Sequence, residues 1–556
     1  MPQATSFADA MPSQLAAAAV LAALGLAVVL LLHRGRRSEA AAAVPKGGGL
    51  ALPLPPAPRG LPVLGNLHQM LANRPAHRWL HRLLADAAGG VVRVRLGPVH
   101  VVAVSCPAAA REVLRGRNDA VFADRPATFA AESFSLGYLS ASISPFGDQW
   151  RKMRRVLTAE VLAPATERRL RAAREGEADH LVRYVRALGR REGGAVDVRH
   201  VARHFCGNVI RRLTLGRRHF GGEAPPADGG PGRDEAEHVD ALFAALNHLD
   251  AFCVSDYFPA LVGLDLDGHE RVVRSVMRTL GRLHDPVVEE RVEEWRRLRK
   301  AGERREPADF LDVLASLDDA AGRPLLTVDE IKAQTIDIMI ATVDNPSNAA
   351  EWALAEMVNR PEVMARAVAE LDAAVGRGRL VSEADARGGL DYLRACIREA
   401  FRLHPYHPFN PPRVAMADAA VAGYAVPRGS HVLLSRVALG RNAAAWEDPL
   451  EFRPERHLPP AAAAGLAAGG GVSLSEPDLR FISFSTGRRG CPGLSLGTLI
   501  TVTLLARLLQ GFSWSLPPGV DRVELREAPA SLELAEPLVL RATPRLPAHL
   551  YDEANK

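Results

Sequence analysis

Cysteine is scarce in this chain, with five among 556 residues, at positions 106, 206, 253, 396 and 491. The number is odd, the spacing is wide and no C-x-x-C occurs, which speaks against a disulfide framework and against a zinc-ligand set. A reducing compartment for the main domain fits that usage. A strong charge of one sign is also lacking: a net +5 is small for the length and indicates no nucleic-acid partner. No internal repeat is visible, and no low-complexity linker divides the chain after residue 60. One large domain is therefore expected, although the length could hold several.

The first forty residues lack something specific: no Lys or Arg precedes the apolar run Leu15 to Leu32. That run is uncharged and, as a helix, spans about 27 Å, near the hydrocarbon thickness of a membrane. His33-Arg34-Gly35-Arg36-Arg37 follows it directly. Positive charge stays cytoplasmic, so residues 1–14 are expected to be lumenal, 15–32 to be a single anchor and the remainder to be cytosolic. A cleaved signal peptide would carry its charges ahead of the run instead. Residues 33–66 read as a basic tether ending in a proline-rich hinge, Pro53 to Asn66, whose fixed φ angles stiffen the chain.

The most informative stretch is Phe484-Ser485-Thr486-Gly487-Arg488-Arg489-Gly490-Cys491-Pro492-Gly493. It sets one cysteine in a glycine-rich turn beside two arginines, ahead of an apolar helix beginning at Leu494. A thiolate is a soft iron ligand, and N–H groups turned toward sulfur would favour its anionic form. Gly487, Gly490 and Gly493 are expected to free the backbone for unusual dihedrals. A buried structural cysteine in a glycine loop is the bland alternative. The stretch fits F-x-x-G-x-R-x-C-x-G at every fixed position and so resembles the haem-thiolate monooxygenases, the cytochromes P-450. The resemblance implies haem b held through iron by Cys491, with Phe484, Arg489 and Gly493 around it, and a mainly α fold with small β-sheets over 67–556. For the hinge and anchor it implies a single-pass endoplasmic reticulum protein with a cytosolic catalytic domain.

Further pieces follow the same family in order. Trp150 and Arg154 lie four apart on one helical face, with Asp148 as the expected N-cap. The family has W-x-x-x-R here, which implies contact with a haem propionate, and the neighbouring Arg151, Lys152 and Arg155 would help dock an acidic reductase. Glu399 and Arg402 form E-x-x-R, which the family joins to a downstream arginine, here Arg456, as a structural triad. Arg413 stands where many P-450s keep a propionate partner.

The helix expected over Ile331–Met357 is unusual. The family's acid is present as Asp344, but Asn345 stands in the threonine position and Pro346 follows. Proline leaves the carbonyl of Thr342 without its i+4 donor, so a kink is expected. Asn345-Pro346-Ser347 resembles the plant amino-acid N-monooxygenases that make aldoximes. So do His204 to Arg212, Ser255 to Leu261, Pro408-Phe409-Asn410 and Pro454-Glu455-Arg456-His457. Arg413, where that group often has histidine, and Pro492-Gly493 depart from it.

That resemblance implies two N-hydroxylations of a free amino acid, phenylalanine or tyrosine, then loss of carboxylate and water. Each round uses O2 and two electrons from NADPH through NADPH-cytochrome P-450 reductase, in specialised (cyanogenic glucoside or defence) metabolism. Asp344 and Asn345 are assigned to proton delivery. Phe134 to Ser144, Phe409-Asn410 and Ser531-Leu532-Glu533 are the expected pocket linings. Carbon hydroxylation of a terpenoid or phenolic, or a non-catalytic membrane-anchored haem protein, are the other readings.

Overall fold

The computed structural model describes residues 52–552 apart from 88, 192, 222, 223, 225 and 460–470. The expected lumenal segment, anchor and basic stretch lie outside the described residues. The helices that frame the site, labelled in chain order, are α1 (Asp148–Val156), α2 (Arg171–Gly189), α3 (Val198–Leu215), α4 (Arg233–Leu249), α5 (His269–Ala301), α6 (Val328–Val358), α7 (Asp391–Leu403) and α8 (Leu494–Gly511). The strands are β1 (Val91–Leu96), β2 (Val99–Val104), β3 (Ala195–Asp197), β4 (Arg413–Val414), β5 (Ala419–Val421), β6 (Tyr424–Val426), β7 (His431–Leu434), β8 (Phe512–Ser515) and β9 (Val539–Pro544). They form sheets of order β1-β2-β7-β4, β3-β9-β8 and β5-β6. The mainly helical expectation with small sheets holds.

Local chemistry accounts for the key elements. The β1–β2 hairpin turns at Gly97, whose φ of 57° favours glycine, as its alternating pattern implies. A capping box starts α6: Thr327 accepts from the Glu330 N–H, and Glu330 reaches back to the Thr327 N–H. Almost every face of α6 is buried, so it runs through the core rather than along its edge. Ile336, Ile340 and Val343 pack in one cluster with Val209 and Ile210 of α3 and Leu504 and Leu508 of α8. Helix α8 is apolar enough to cross a membrane, but 78% of it is buried, which makes it a core helix.

Glu399 and Arg402 are completely buried and joined by two hydrogen bonds of 2.7 and 2.8 Å. Arg456 Nε reaches the same carboxylate at 3.0 Å, which completes the expected triad. His457 Nε2 adds a fourth partner at 2.7 Å. Arg402 also donates to the carbonyls of Gly440, Pro449 and Glu451, tying α7 to the segment that leads toward Cys491. Burial opposes ionisation of Glu399, yet the bonds from Arg402 and His457 hold its carboxyl down to about 2. Burial also keeps His457 below its ordinary range, so it donates as a neutral imidazole.

Elsewhere, buried histidines are held neutral. Arg211 donates to His238 Nδ1, and His238 Nε2 meets His284 Nε2 at 2.9 Å. Burial pushes His284 to about 3 and His180 to about 4. The unfolded chain takes these protons near 6.5 and the folded one does not, so stability rises with pH across that window. Thermal melts should therefore weaken steadily as pH falls below about 6.5. Glu399 adds its own loss only below its ordinary 4.5, as pH falls toward about 2. A melting temperature unchanged between pH 7.5 and pH 5 would refute this. Glu399→Gln should cost about 3–5 kcal/mol, by leaving buried arginines unpaired, and denaturant melts will read it.

Candidate active site

The cysteine turn is built as its glycines suggest, with one correction. Of the three glycines only Gly487 takes a left-handed φ, of 76°, as Ser485 does at 60°, and a Cβ at Gly487 would lie 2.2 Å from Asp119 Oδ1. Gly490 is needed for closeness instead: its Cβ would sit 3.1 Å from the Gly487 carbonyl. Gly493 caps α8 at an ordinary φ of −88°. The Cys491 N–H donates to the Phe484 carbonyl at 2.8 Å, closing the loop. The Phe484 ring packs edge-on against Phe401 at 5.9 Å, which anchors the loop on α7.

Cys491 lies deep within the protein but is accessible on one side, because a cavity of about 1280 Å³ reaches it. Burial raises the thiol pKa, while the Gly493 N–H, Arg154 and Arg436 oppose the rise. The N–H contact expected from the sequence is present, but desolvation outweighs it. Ionisation therefore falls to a bound metal, which deprotonates a coordinating thiol.

The cavity wall carries cations. Trp150 and Arg154 both line it, as do Arg125, Arg436, Arg489, Phe484 and Gly493. Arg154 Nη2 donates to the Gly490 carbonyl at 2.7 Å, joining α1 to the cysteine turn. Arg489 donates to the carbonyls of Ala123 and Ser144 at 2.7 and 2.8 Å, and its guanidinium stacks 4.7 Å from the Trp150 ring. Burial and neighbouring arginines lower it to about 9. Trp150 Nε1 and Arg489 Nη1 are buried without a partner. Unpartnered donors beside a thiol in a large cavity fit an iron macrocycle with two carboxylates, and so fit haem b.

Arg413 is placed differently. It does not line the cavity; it lies behind the loop, donating to the Phe122 and Thr486 carbonyls and 3.7 Å from Asp119. Asp148 is not the N-cap of α1: Gly147 is, and Asp148 pairs with Arg151 at 2.5 Å in the first turn. Lys152 is engaged internally with Glu330 at 2.6 Å. Arg155 is exposed on the surface.

Helix α6 crosses the cavity with Ala341, Thr342, Asn345, Pro346 and Asn348 on its wall. It continues as one helix through Pro346, where Ser347 Oγ donates to the Val343 and Asp344 carbonyls at 2.8 and 3.1 Å. Asp344 is fully buried and does not line the cavity, and among the described residues neither carboxyl oxygen has a hydrogen bond of good geometry, although the Tyr406 hydroxyl lies near it. Burial pushes its pKa well above the carboxylate range; Arg203 opposes, Glu533 reinforces and Tyr406 opposes. Burial therefore favours its neutral form. Of the expected linings, Ala141 to Ile143, Phe409-Asn410 and Ser531 to Glu533 are on the wall, while Phe134 is in the core.

Sequence reasoning missed Arg125, Asp250, Tyr406, His407 and Arg436, all on the wall. Arg125 stands in Phe122-Ala123-Asp124-Arg125-Pro126 and donates to the Pro411 and Pro412 carbonyls at 2.5 and 2.7 Å. An arginine followed by proline, outside a predicted helix, was the one available signal. Cys491→Ser should abolish the red-shifted Soret band of the reduced carbon-monoxide complex, and an unchanged band would refute the assignment. Trp150→Phe should keep the fold but lower haem retention in a dialysis assay.

The comparisons agree with this geometry. The family model described as Cytochrome P450 matches residues 55–540. The chain is 57% identical over 517 residues to a tyrosine N-monooxygenase of Sorghum bicolor, covering 92% of this chain and 90% of the relative. It is 49% identical over 504 residues to a phenylalanine N-monooxygenase of Prunus mume, covering 90% and 92%. It is 47% identical over 506 residues to a valine N-monooxygenase of Manihot esculenta, covering 91% and 90%. With a family match from hinge to C-terminus, and Cys491, Trp150 and Arg489 around one cavity, the chain belongs to the cytochrome P-450 family of haem-thiolate monooxygenases.

Proposed function

We propose that this protein hydroxylates the nitrogen of a free L-α-amino acid twice and releases the aldoxime, with phenylalanine or tyrosine as substrate. The observation that carries the reading is the single cavity that holds Cys491 together with Asn345 and Pro346 of α6. Relatives at 57% and 49% identity are named for tyrosine and phenylalanine N-oxygenation, which supports both the reaction and the substrate.

Haem b, when bound, supplies the iron chemistry that activates O2 with electrons from NADPH passed on by a membrane-bound flavoprotein reductase. Cys491 would hold the iron, and Trp150, Arg154, Arg489 and Arg125 would hold the two propionates. Arg413 supports the loop from behind. The Asn345 amide faces the cavity and both donates and accepts, so it orders water where most P-450s use a hydroxyl. Asp344 acts indirectly: off the cavity wall, with burial favouring its neutral form, it is assigned to hold a proton. Ile143, Ile340, Phe409 and Leu532 give the cavity apolar surface for an aromatic ring. Residues 15–32 anchor the chain in the endoplasmic reticulum membrane with the catalytic domain cytosolic.

Purified enzyme with reductase and NADPH should convert phenylalanine or tyrosine to its aldoxime, read by mass spectrometry across the protein amino acids. No oxime from any of them, with hydroxylation of a terpenoid or phenolic carbon, would sink the reading. Asn345→Ala should lower aldoxime formation roughly 100-fold while leaving the carbon-monoxide spectrum intact. Removing residues 1–37 should shift much of the protein to the soluble fraction. Glycosylation at a site engineered near Lys556 would instead place the catalytic domain in the lumen.

A further inference from the structure

Arg436 and Asp250 form an unpaired ionic couple in the cavity, and nothing above uses it. Arg436 follows strand β7 as the first residue of the short helix Arg436–Gly440. Its backbone N–H is fixed on the Pro408 carbonyl at 2.9 Å. Its side chain has no hydrogen bond or ion pair among the described residues, and Nε is buried without a partner. The other inner arginines are committed. Arg125 holds two carbonyls, Arg489 holds two, and Arg154 holds Gly490.

Asp250 caps the C-terminal end of α4 and lines the same cavity. Its carboxylate has no ion pair within 4 Å among the described residues, yet the charges of Arg125 and Arg436 act on it. Burial raises it to about 6, and those two arginines hold it from going higher. The interaction is mutual, since Asp250 supports the charge of Arg436 against burial. Arg436 also acts on the Cys491 thiol, which lines the same cavity. His407 lies beside Arg436 on the wall and, held neutral at about 3 by burial and by Arg436, adds no charge.

A cation and an anion on one cavity wall, each half-buried and with no ion pair between them within 4 Å among the described residues, are left for a ligand to bridge. A zwitterion does so, with its carboxylate on the cation and its ammonium on the anion. We propose that Arg436 binds the carboxylate and Asp250 the ammonium of the α-amino-acid substrate, so that this couple selects free amino acids. The proposal rests on the aldoxime-forming reading above and identifies its head-group subsite. The side chain then points away from the couple toward Ile340 and Leu532. Asp250 positions the nitrogen as a hydrogen-bond acceptor, and Arg436 keeps the carboxylate in place until it is lost.

The test is equilibrium dialysis of the haem-loaded full-length enzyme against L-phenylalanine, phenethylamine and 3-phenylpropionate, with the tyrosine series in parallel. Arg436→Gln should weaken the amino acid and the propionate by roughly 10- to 100-fold, as expected for a hydrogen-bonded charge, and leave the amine nearly unchanged. Arg436→Lys should recover part of that loss. Asp250→Asn should show the converse, weakening amino acid and amine but not the propionate. Haem content and the reduced carbon-monoxide spectrum should match wild type in all three variants. Loss of haem from Arg436→Gln in step with lost binding would mark Arg436 as a propionate partner and overturn the proposal. So would equal losses for all three ligands, or wild-type enzyme that binds none of them. Tight, couple-dependent binding of amino acids without any oxime product would instead overturn the reaction and leave this subsite standing.

Discussion

The site depends on one buried carboxylate. Glu399 accepts from Arg402, Arg456 and His457, and no part of its side chain or of Arg402 reaches solvent. Such a group is expensive to bury alone and stable only when every lone pair is used. That requirement makes the cluster an all-or-none clasp. Arg402 reaches out to carbonyls at 440, 449 and 451, and Arg456 to those at 447, 448 and 451, so the irregular stretch before the cysteine turn is held by side chains rather than by a ladder. Trp446 sits among Arg402, Arg456 and Arg480, with guanidinium carbons 5.1, 6.0 and 4.5 Å from its ring. Further along, Arg398 pairs with buried Glu476, which holds the segment leading to Phe484. A thiol can be presented at a fixed place only if this path is rigid.

The cavity has the opposite character, with charges left incompletely matched. Arginines line it, and two of their donors, Arg436 Nε and Arg489 Nη1, lack partners among the described residues. In a folded protein such atoms cost stability unless something regularly supplies the missing acceptors. The stiff clasp and the unsatisfied cavity are complementary: the first supplies the rigidity that allows the second to keep its donors apart and pointed inward.

How much of this was legible in the sequence follows from how local each signal is. The cysteine turn, E-x-x-R and the start of α8 at Leu494 are contiguous patterns, and the structure matches them closely. The bond from His457 to Glu399 spans 58 residues, and no local pattern shows it. Arg413 was read as a propionate partner from the family resemblance. It faces Asp119 instead, a partner whose position only the tertiary fold determines. Asp250 and Arg436 lie far apart in sequence on α4 and after β7, and each alone looks like an ordinary polar residue at the end of an element.

The pair Asp344 and Asn345 shows where sequence reasoning could have gone further. Consecutive residues on an α-helix point about 100° apart. Two neighbours cannot both face one cavity squarely, so assigning both to proton delivery left open which of them meets the oxygen pocket. The structure divides them: Asn345 is on the wall and Asp344 is turned into the protein among Cys206, Arg203 and Tyr406. That division separates two tasks that a threonine–acid pair is usually asked to share. A neutral acid away from the cavity can hold a proton without placing negative charge beside a carboxylate-bearing substrate. An amide on the wall can order water without ionising at all. For a zwitterionic ligand in a cavity already carrying several arginines, keeping Asp344 off the wall leaves the substrate ammonium to the carboxylates that do line it, Asp250 among them.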